Sequence, residues 1–130
     1  MRIRQDSGTL TEVELEFMNV VWETGGGTVR EILAALNRQQ KRAYTSVATV
    51  LKILEQKGFL KSRMVERSLH YRPTVPKVAY QKQTLQNLSN KLFDDTPSAL
   101  VARLVDDESL SDEALEEIRD LVNRRLGHGR

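Results

Sequence analysis

The sequence predicts a mainly α-helical protein with one small β-hairpin: three helices and the hairpin, then three more helices. Three observations predict this order. Apolar residues recur at helical spacing along most of the chain, a glycine separates the third helical segment from two strand-like runs, and two prolines precede a second helical group. In a chain of 130 residues we expect one domain at residues 1–75 and a helical region at residues 76–130.

The first helix is predicted at Leu10–Glu23 because it has a complete start signal. Thr11 can cap it, and Glu14 at the third following position closes a capping box. A run of three glycines ends this helix, and a second Thr-x-x-Glu box begins at Thr28. The apolar residues of the second helix recur at i, i+3, i+4 and i+7, which predicts one buried stripe. They are Val29, Ile32, Leu33 and Leu36.

The third helix is predicted from about Tyr44 to Lys57, and Gly58 is its expected stop. Its two faces differ in character. The core face carries Val47, Val50, Leu51 and Leu54, and the opposite face carries Thr45, Ala48, Thr49, Lys52 and Gln56. The runs Phe59–Met64 and Ser68–Arg72 then predict a hairpin around the turn Val65-Glu66-Arg67.

The second helical group presents its apolar residues on one side of each helix. A long helix is predicted at Lys77–Phe93, Pro97 opens a fifth helix, and Ser111 caps a sixth that Gly127 ends. A bundle of only about 50 residues is marginal alone, so we predict that a second copy completes it in a homodimer. The alternative is an intramolecular core. The predicted dimerisation residues are Val78, Leu85, Leu88, Leu92, Leu100, Leu104, Leu115, Ile118 and Val122.

Charge is segregated along the chain although the formal net charge is only +2. The segment Arg38–Arg72 holds nine basic and two acidic residues, whereas Asp94–Asp120 holds ten acidic and two basic residues. A single run of charged residues is often only a solvated surface. Separation of basic and acidic residues into two halves of the chain instead favours a basic half that binds a polyanion.

Several classes of function are disfavoured. The chain has no cysteine, which excludes thiolate metal sites and fits a cytoplasmic protein. It lacks the long apolar run of a membrane span and the apolar stretch of a secretory signal. No nucleophile stands in a recognisable turn and no glycine loop fits a phosphate, so we predict no enzyme, cofactor or metal site. His70 and His128 are interpreted as structural or solvated.

The outward face of the third helix is the candidate functional surface. Its Thr and Ala side chains are small enough for a major groove about 12 Å wide, and they can contact base edges, phosphates and thymine methyls. Lys52 and Gln56 can reach guanine or adenine edges, and Arg63 and Arg67 on the hairpin suit phosphates or a minor groove. The alternatives are an ordinary exposed helix and a module of the same fold that binds another protein.

These segments resemble the penicillinase-repressor family of bacterial winged-helix regulators, which includes β-lactamase, methicillin-resistance and copper-responsive repressors. The matching segments are LTEVELEFMNVVWE at 10–23, TVREI at 28–32, YTSVATVLKILEQKGFL at 44–60, ERSLHYRP at 66–73 and, more weakly, ALVARLVDDESLSDEALEEIRDLV at 99–122. The resemblance implies a winged helix-turn-helix domain and a helical dimerisation domain. It also implies a homodimeric repressor of a short, near-palindromic operator in double-stranded DNA, with β-lactamase or stress-response genes as expected targets.

The resemblance places DNA contacts on the third helix and assigns the hairpin Arg to Arg67 and the aromatic that closes the hairpin to Tyr71. Ile53 departs from the family, which often has Arg there. The full set of predicted DNA-binding residues is Arg42, Tyr44, Thr45, Ser46, Ala48, Thr49, Lys52, Gln56, Arg63 and Arg67. In the antibiotic-responsive members a membrane sensor leads to cleavage of the repressor, and the matching bond joins Arg103 and Leu104. The copper-responsive members carry a cysteine-rich tail that this chain lacks.

Overall fold

The computed structural model describes residues 9–127, and within them the predicted order of helices and hairpin is confirmed. The elements are α1 Glu12–Thr24, β1 Gly27–Thr28, α2 Val29–Leu36, α3 Tyr44–Gln56, β2 Leu60–Val65, β3 Ser68–Pro73, α4 Lys77–Leu92, α5 Pro97–Val105 and α6 Asp112–Leu126. The predictions made for His128 and for the first eight residues fall outside the described part of the chain.

Both capping boxes predicted from the sequence are present. The Thr11 hydroxyl accepts from the Glu14 amide at 3.1 Å, and the Glu14 carboxylate accepts from the Thr11 amide at 2.9 Å. Thr28 and Glu31 make the same pair of bonds at 3.1 and 2.8 Å. The backbone hydrogen bond from Thr28, aided by its hydroxyl, lowers the pKa of Glu31. The two boxes therefore fix where α1 and α2 begin.

A left-handed glycine ends α3. Gly58 has φ +91°, its amide donates to Glu55 at 3.0 Å, and the Phe59 amide donates to the Leu54 carbonyl at 2.9 Å. This pair of bonds is a Schellman motif, and the buried side chains of Leu54 and Phe59 supply its apolar contact. The predicted stop at Gly58 is confirmed, and the chain turns directly into β2.

The sheet has one strand more than the predicted hairpin. Its order is β1-β3-β2 with both pairings antiparallel, and β1 joins at Gly27↔Tyr71 and Thr28↔His70. A side chain at Gly26 would lie 2.0 Å from the Tyr71 carbonyl oxygen, so the chain can approach β3 this closely only with glycine there. The glycine run was predicted only as a helix stop, so this pairing was not predicted.

The core of the first compact unit extends into α4. The Tyr80 ring lies 5.8 Å from Trp22 and 5.7 Å from Phe59 between ring centroids, and its hydroxyl accepts from the Leu10 amide at 2.9 Å. The Trp22 indole donates to the Val75 carbonyl at 2.8 Å. The fully buried side chains of this core include Phe17, Met18, Val21, Ile32, Val47, Leu51, Leu54 and Phe59.

The chain divides into two compact units inside α4. The first unit ends at Lys82 and the second begins at Gln83. The boundary predicted between residues 75 and 76 lies slightly earlier in the chain. The reason for the difference is Tyr80, whose side chain is buried in the first unit although it belongs to the helix after Pro76.

The second unit consists of helices with regular ends. The Ser111 hydroxyl accepts from the Ala114 amide at 3.1 Å at the start of α6, Pro97 lies in the first turn of α5, and Gly127 ends α6 at φ +86°. These ends agree with the sequence predictions. Across residues 9–127, each helix is too short or too polar to cross a membrane.

A partly buried ion pair joins α1 to Lys57, the residue that follows α3. Glu14 is only 8% exposed, and its carboxylate lies 2.7 Å from the Lys57 ammonium. Burial acts to raise the pKa of Glu14, but the hydrogen bond and charge of Lys57 and the bonds with Thr11 outweigh it, so the pKa is lowered from 4.5. The stability that this pair contributes is therefore present above pH 4.5 and is lost as the pH falls through the lowered pKa.

Glu14→Gln is expected to lower the free energy of unfolding at pH 7 by about 1–3 kcal/mol, because it removes the charge while a Gln can still close the capping box. The difference from wild type should shrink as the pH is lowered below 4.5. Urea unfolding at pH 7 and pH 3.5 measures both values. Glu23→Gln, at an exposed acid of the same helix, is the control. A difference that stays constant with pH would contradict the ion-pair argument.

Candidate nucleic-acid interface

The outward face of α3 is open to solvent. Thr45, Ser46, Thr49, Lys52 and Gln56 are exposed and Ala48 is half-buried, whereas Val47, Leu51 and Leu54 on the other side are fully buried. The Thr49 hydroxyl donates to the Thr45 carbonyl at 2.9 Å, so its oxygen can still accept a hydrogen bond from outside. The face predicted from the sequence is therefore narrow, polar and uncovered.

Arg42 holds the start of α3 against α1. Its guanidinium lies 2.6 Å from the Glu16 carboxylate and 5.3 Å from the centroid of the Phe17 ring, and its amide donates to the Asn37 side chain at 2.8 Å. Arg42 and Lys57 thus pair with two of the α1 acids, Glu16 and Glu14. Arg42 and Lys57 are two of the nine basic residues in Arg38–Arg72, and their pairing within the protein was not predicted. The role of Arg42 in DNA binding stays a prediction.

The hairpin β2–β3, which we call the wing, turns in two residues. Val65 pairs with Ser68, and Glu66 and Arg67 between them have φ +50° and +73°. Two left-handed residues give the turn a twist that matches the strands. Val65 was predicted in the turn, but it lies at the end of β2. Arg67 is exposed at the tip of the wing.

The strand register separates the wing into two faces. Ser62↔Tyr71 and Met64↔Leu69 share the face that carries the buried Tyr71, whereas Lys61↔Arg72 and Arg63↔His70 share the other face. Successive side chains of a strand point to opposite sides, so Arg63 lies on the opposite face of the wing from Met64 and Leu69.

A cavity of about 480 Å³ lies between the start of α2, the face of α3 and the wing. Its lining includes Arg30, Tyr44, Ala48, Lys52, Met64, Arg67 and Leu69. The structure thus brings four predicted DNA-binding residues together around one groove. It adds Arg30, which was not predicted because this residue lies in α2, outside the basic segment. The signal that could have found it is a cation in the first turn of the helix before the candidate recognition helix.

The apolar stripes of the second helical group are not buried by the chain that carries them. Val78, Leu85, Leu88, Leu92, Leu104 and Val122 are exposed, and Leu100, Leu115 and Ile118 are half-buried. Leu104 is 54% exposed within α5, and α5 and α6 contain no buried residue. An intramolecular core would therefore leave six of these nine residues exposed, and their role in dimerisation stays a prediction.

A family model described as penicillinase repressor matches residues 10–124. The chain belongs to this family. The methicillin resistance regulatory protein MecI of Staphylococcus aureus (strain Mu50) is 25% identical over 116 residues, which cover 89% of this chain and 94% of MecI. The penicillinase repressor of Bacillus licheniformis is 22% identical over 113 residues, which cover 87% and 88% of the two chains.

Two solved structures resemble this penicillinase-repressor family member. The solution structure of the DNA-binding domain of the repressor BlaI matches with a TM-score of 0.51 at 25% identity, over 61% of this chain and 92% of that one. A complex of hsRosR-S4 matches with a TM-score of 0.51 at 19% identity, over 82% and 95% of the chains, and shows the fold alone.

The predictions of a winged-helix fold and of a DNA-binding repressor of this family are confirmed. The family is one of regulatory repressors, which points away from an enzyme. Within residues 9–127, no group of three His, Asp or Glu residues is placed to hold a metal ion.

Proposed function

We propose that this repressor works as a homodimer whose two α3 helices enter the major groove of a short, near-palindromic operator. The observation that carries the proposal is the exposed, small-residue face of α3 beside the basic wing. A major groove about 12 Å wide accepts an α-helix only if the inserted face is slim. The Thr and Ala side chains of α3 meet that requirement, and the long core residues lie on the opposite side.

Base and phosphate contacts divide between α3 and the wing. Thr45, Ala48 and Thr49 face base edges and methyl groups, and Lys52 and Gln56 extend that reading along the helix. Arg67 at the wing tip binds the backbone. Ile53, which departs from the family at this position, is 38% exposed and offers an apolar contact where an Arg could bind phosphate.

The exposed apolar stripes of α4, α5 and α6 form the dimer contact of this proposal. Contiguous exposed apolar residues mark an interaction site, and in a dimer each stripe packs against a stripe of the second copy. A dimer places two recognition helices one helical turn of DNA apart, roughly 34 Å, which matches an operator with two half-sites. We infer a cytoplasmic location for this DNA-binding regulator and expect genes for β-lactamase or a stress response as its targets.

Titrating the protein against promoter fragments at several salt concentrations tests this function. If each protomer neutralises about four phosphates, log affinity should fall with log salt at a slope near −7. Fluorescence anisotropy with a labelled cognate fragment measures the slope. A slope shallower than about −3 would contradict a wing that binds the backbone, and a failure to bind any fragment specifically would favour the protein-binding alternative.

Release from DNA is proposed to follow cleavage between Arg103 and Leu104, set off by a membrane sensor. Both residues are exposed, but their peptide bond lies inside α5, so the helix must open locally before a protease can bind it. Intact-mass measurement of the repressor from induced cells tests the site. Fragments that end at any other bond would contradict it.

A further inference from the structure

Three elements contribute a cation to the groove beside α3. Arg30 comes from the first turn of α2, Lys52 from α3 and Arg67 from the tip of the wing. The wing also presents the exposed pair Met64 and Leu69 to this groove. A groove that combines cations with apolar side chains fits a sugar–phosphate strand, which offers phosphate charge and the apolar faces of deoxyribose.

The Arg30 guanidinium stacks over the Tyr44 ring. The centre of its guanidinium lies 5.3 Å from the centroid of the Tyr44 ring, and Tyr44 is 44% exposed beside it. The neighbouring acid Glu31 points its carboxylate at the Thr28 amide, 2.8 Å away, in the capping box. Stacking on an aromatic face restricts a long Arg side chain and leaves the edges of its planar guanidinium free to donate hydrogen bonds.

We propose that Arg30 binds an operator phosphate and that Tyr44 is the positioning residue that holds it for this contact. The inference rests on the proposed DNA binding and adds a backbone contact outside both α3 and the wing. In helix-turn-helix proteins the helix before the recognition helix crosses the backbone, so a cation in the first turn of α2 meets phosphate rather than a base edge. A guanidinium suits this contact because it can bind phosphate oxygens in pairs.

The test compares wild type, Arg30→Gln, Tyr44→Leu and the double variant on one cognate operator across a range of salt. Losing one phosphate contact in each protomer should make the slope of log affinity against log salt shallower by about 1.8 and weaken binding roughly tenfold or more at 0.1 M salt. Tyr44→Leu should weaken binding with the slope unchanged, because the charge of Arg30 remains. Arg30→Lys should restore the slope but only part of the affinity.

The double variant separates a positioning role from direct contact. If Tyr44 acts through Arg30, Tyr44→Leu should have little further effect in the Arg30→Gln background. Fully additive effects would overturn the positioning role, and a wild-type slope in Arg30→Gln would overturn the phosphate contact. An unchanged urea midpoint and dimer mass verify that Arg30→Gln, at an exposed residue, folds normally.

Failure of this inference is distinguishable from failure of the proposed function. If Arg30→Gln retains the wild-type slope while Thr49→Glu abolishes binding, the role of the α3 face is supported and only the Arg30 contact is overturned. If wild type itself shows a slope shallower than about −3, the proposed backbone grip fails, and the Arg30 contact fails with it.

Discussion

Replacing Thr49 with Glu is expected to abolish operator binding while the protein stays folded and dimeric. Thr49 is exposed in the middle of the outward face of α3, and a carboxylate there would face phosphates and the acceptor groups of base edges. Like charges brought together at an interface cost several kcal/mol, and a dimer carries the change twice. We expect a loss of affinity of roughly a thousandfold or more.

Thr49→Gln is the matched control because it has the same size without the charge. It should weaken binding far less than Thr49→Glu. Neither variant should alter the far-UV circular dichroism or the urea midpoint, since Glu and Gln are good helix formers and position 49 is exposed. Electrophoretic mobility shift on a cognate promoter fragment measures the effect. Normal binding by Thr49→Glu would show that this face does not lie in the groove.

Local signals explain why the sequence predicted so much of the fold. A capping box needs only Thr and Glu three residues apart, and both boxes, at Thr11 and Thr28, are present. Gly58 likewise ends α3 through bonds within its own turn. The exposed face of α3 follows from the helical period alone, because burying Val47, Leu51 and Leu54 turns the small polar residues outward.

Contacts between segments distant in sequence account for what was missed. The strand β1 is defined by its pairing with β3, at Gly27↔Tyr71 and Thr28↔His70. A segment of two residues is too short to show the periodicity that indicates a strand. Tyr80 joins the first core through partners as distant as Leu10. These contacts form only through tertiary packing. Tyr80 therefore belongs to the first core although it follows Pro76.

The candidate site shows the same division between local and tertiary information. Counting charges treated every cation in the basic segment as available to DNA, but the ion pair of Arg42 with Glu16 forms only once α1 and α3 are packed. The position of Arg30 over Tyr44 likewise requires α2 and α3 to lie side by side. The face of the wing on which Arg63 lies depends on the strand register. A shift of one residue would reverse that face, and the sequence pattern does not determine the register so closely.

Leu88→Asp is expected to weaken the dimer roughly a hundredfold or more and to reduce DNA binding through that loss, because each α4 stripe would then bury an unpaired charge. Leu88 is 41% exposed in the single chain, so the substitution should leave the first unit folded. The matched control is Gln86→Asp, an exposed position of the same helix outside the apolar stripe. Sedimentation equilibrium measures the dimer dissociation constant of each variant.

DNA binding by Leu88→Asp should carry the signature of a monomer. With half of the phosphate contacts, the slope of log affinity against log salt should become shallower, from near −7 to about −3.6. An intramolecular role for the stripe predicts a different result: a lower urea midpoint that does not depend on protein concentration. A variant that remains dimeric and binds DNA with the wild-type slope would show that the copies meet elsewhere, because an aspartate pair cannot remain buried at such a contact without a large loss of affinity.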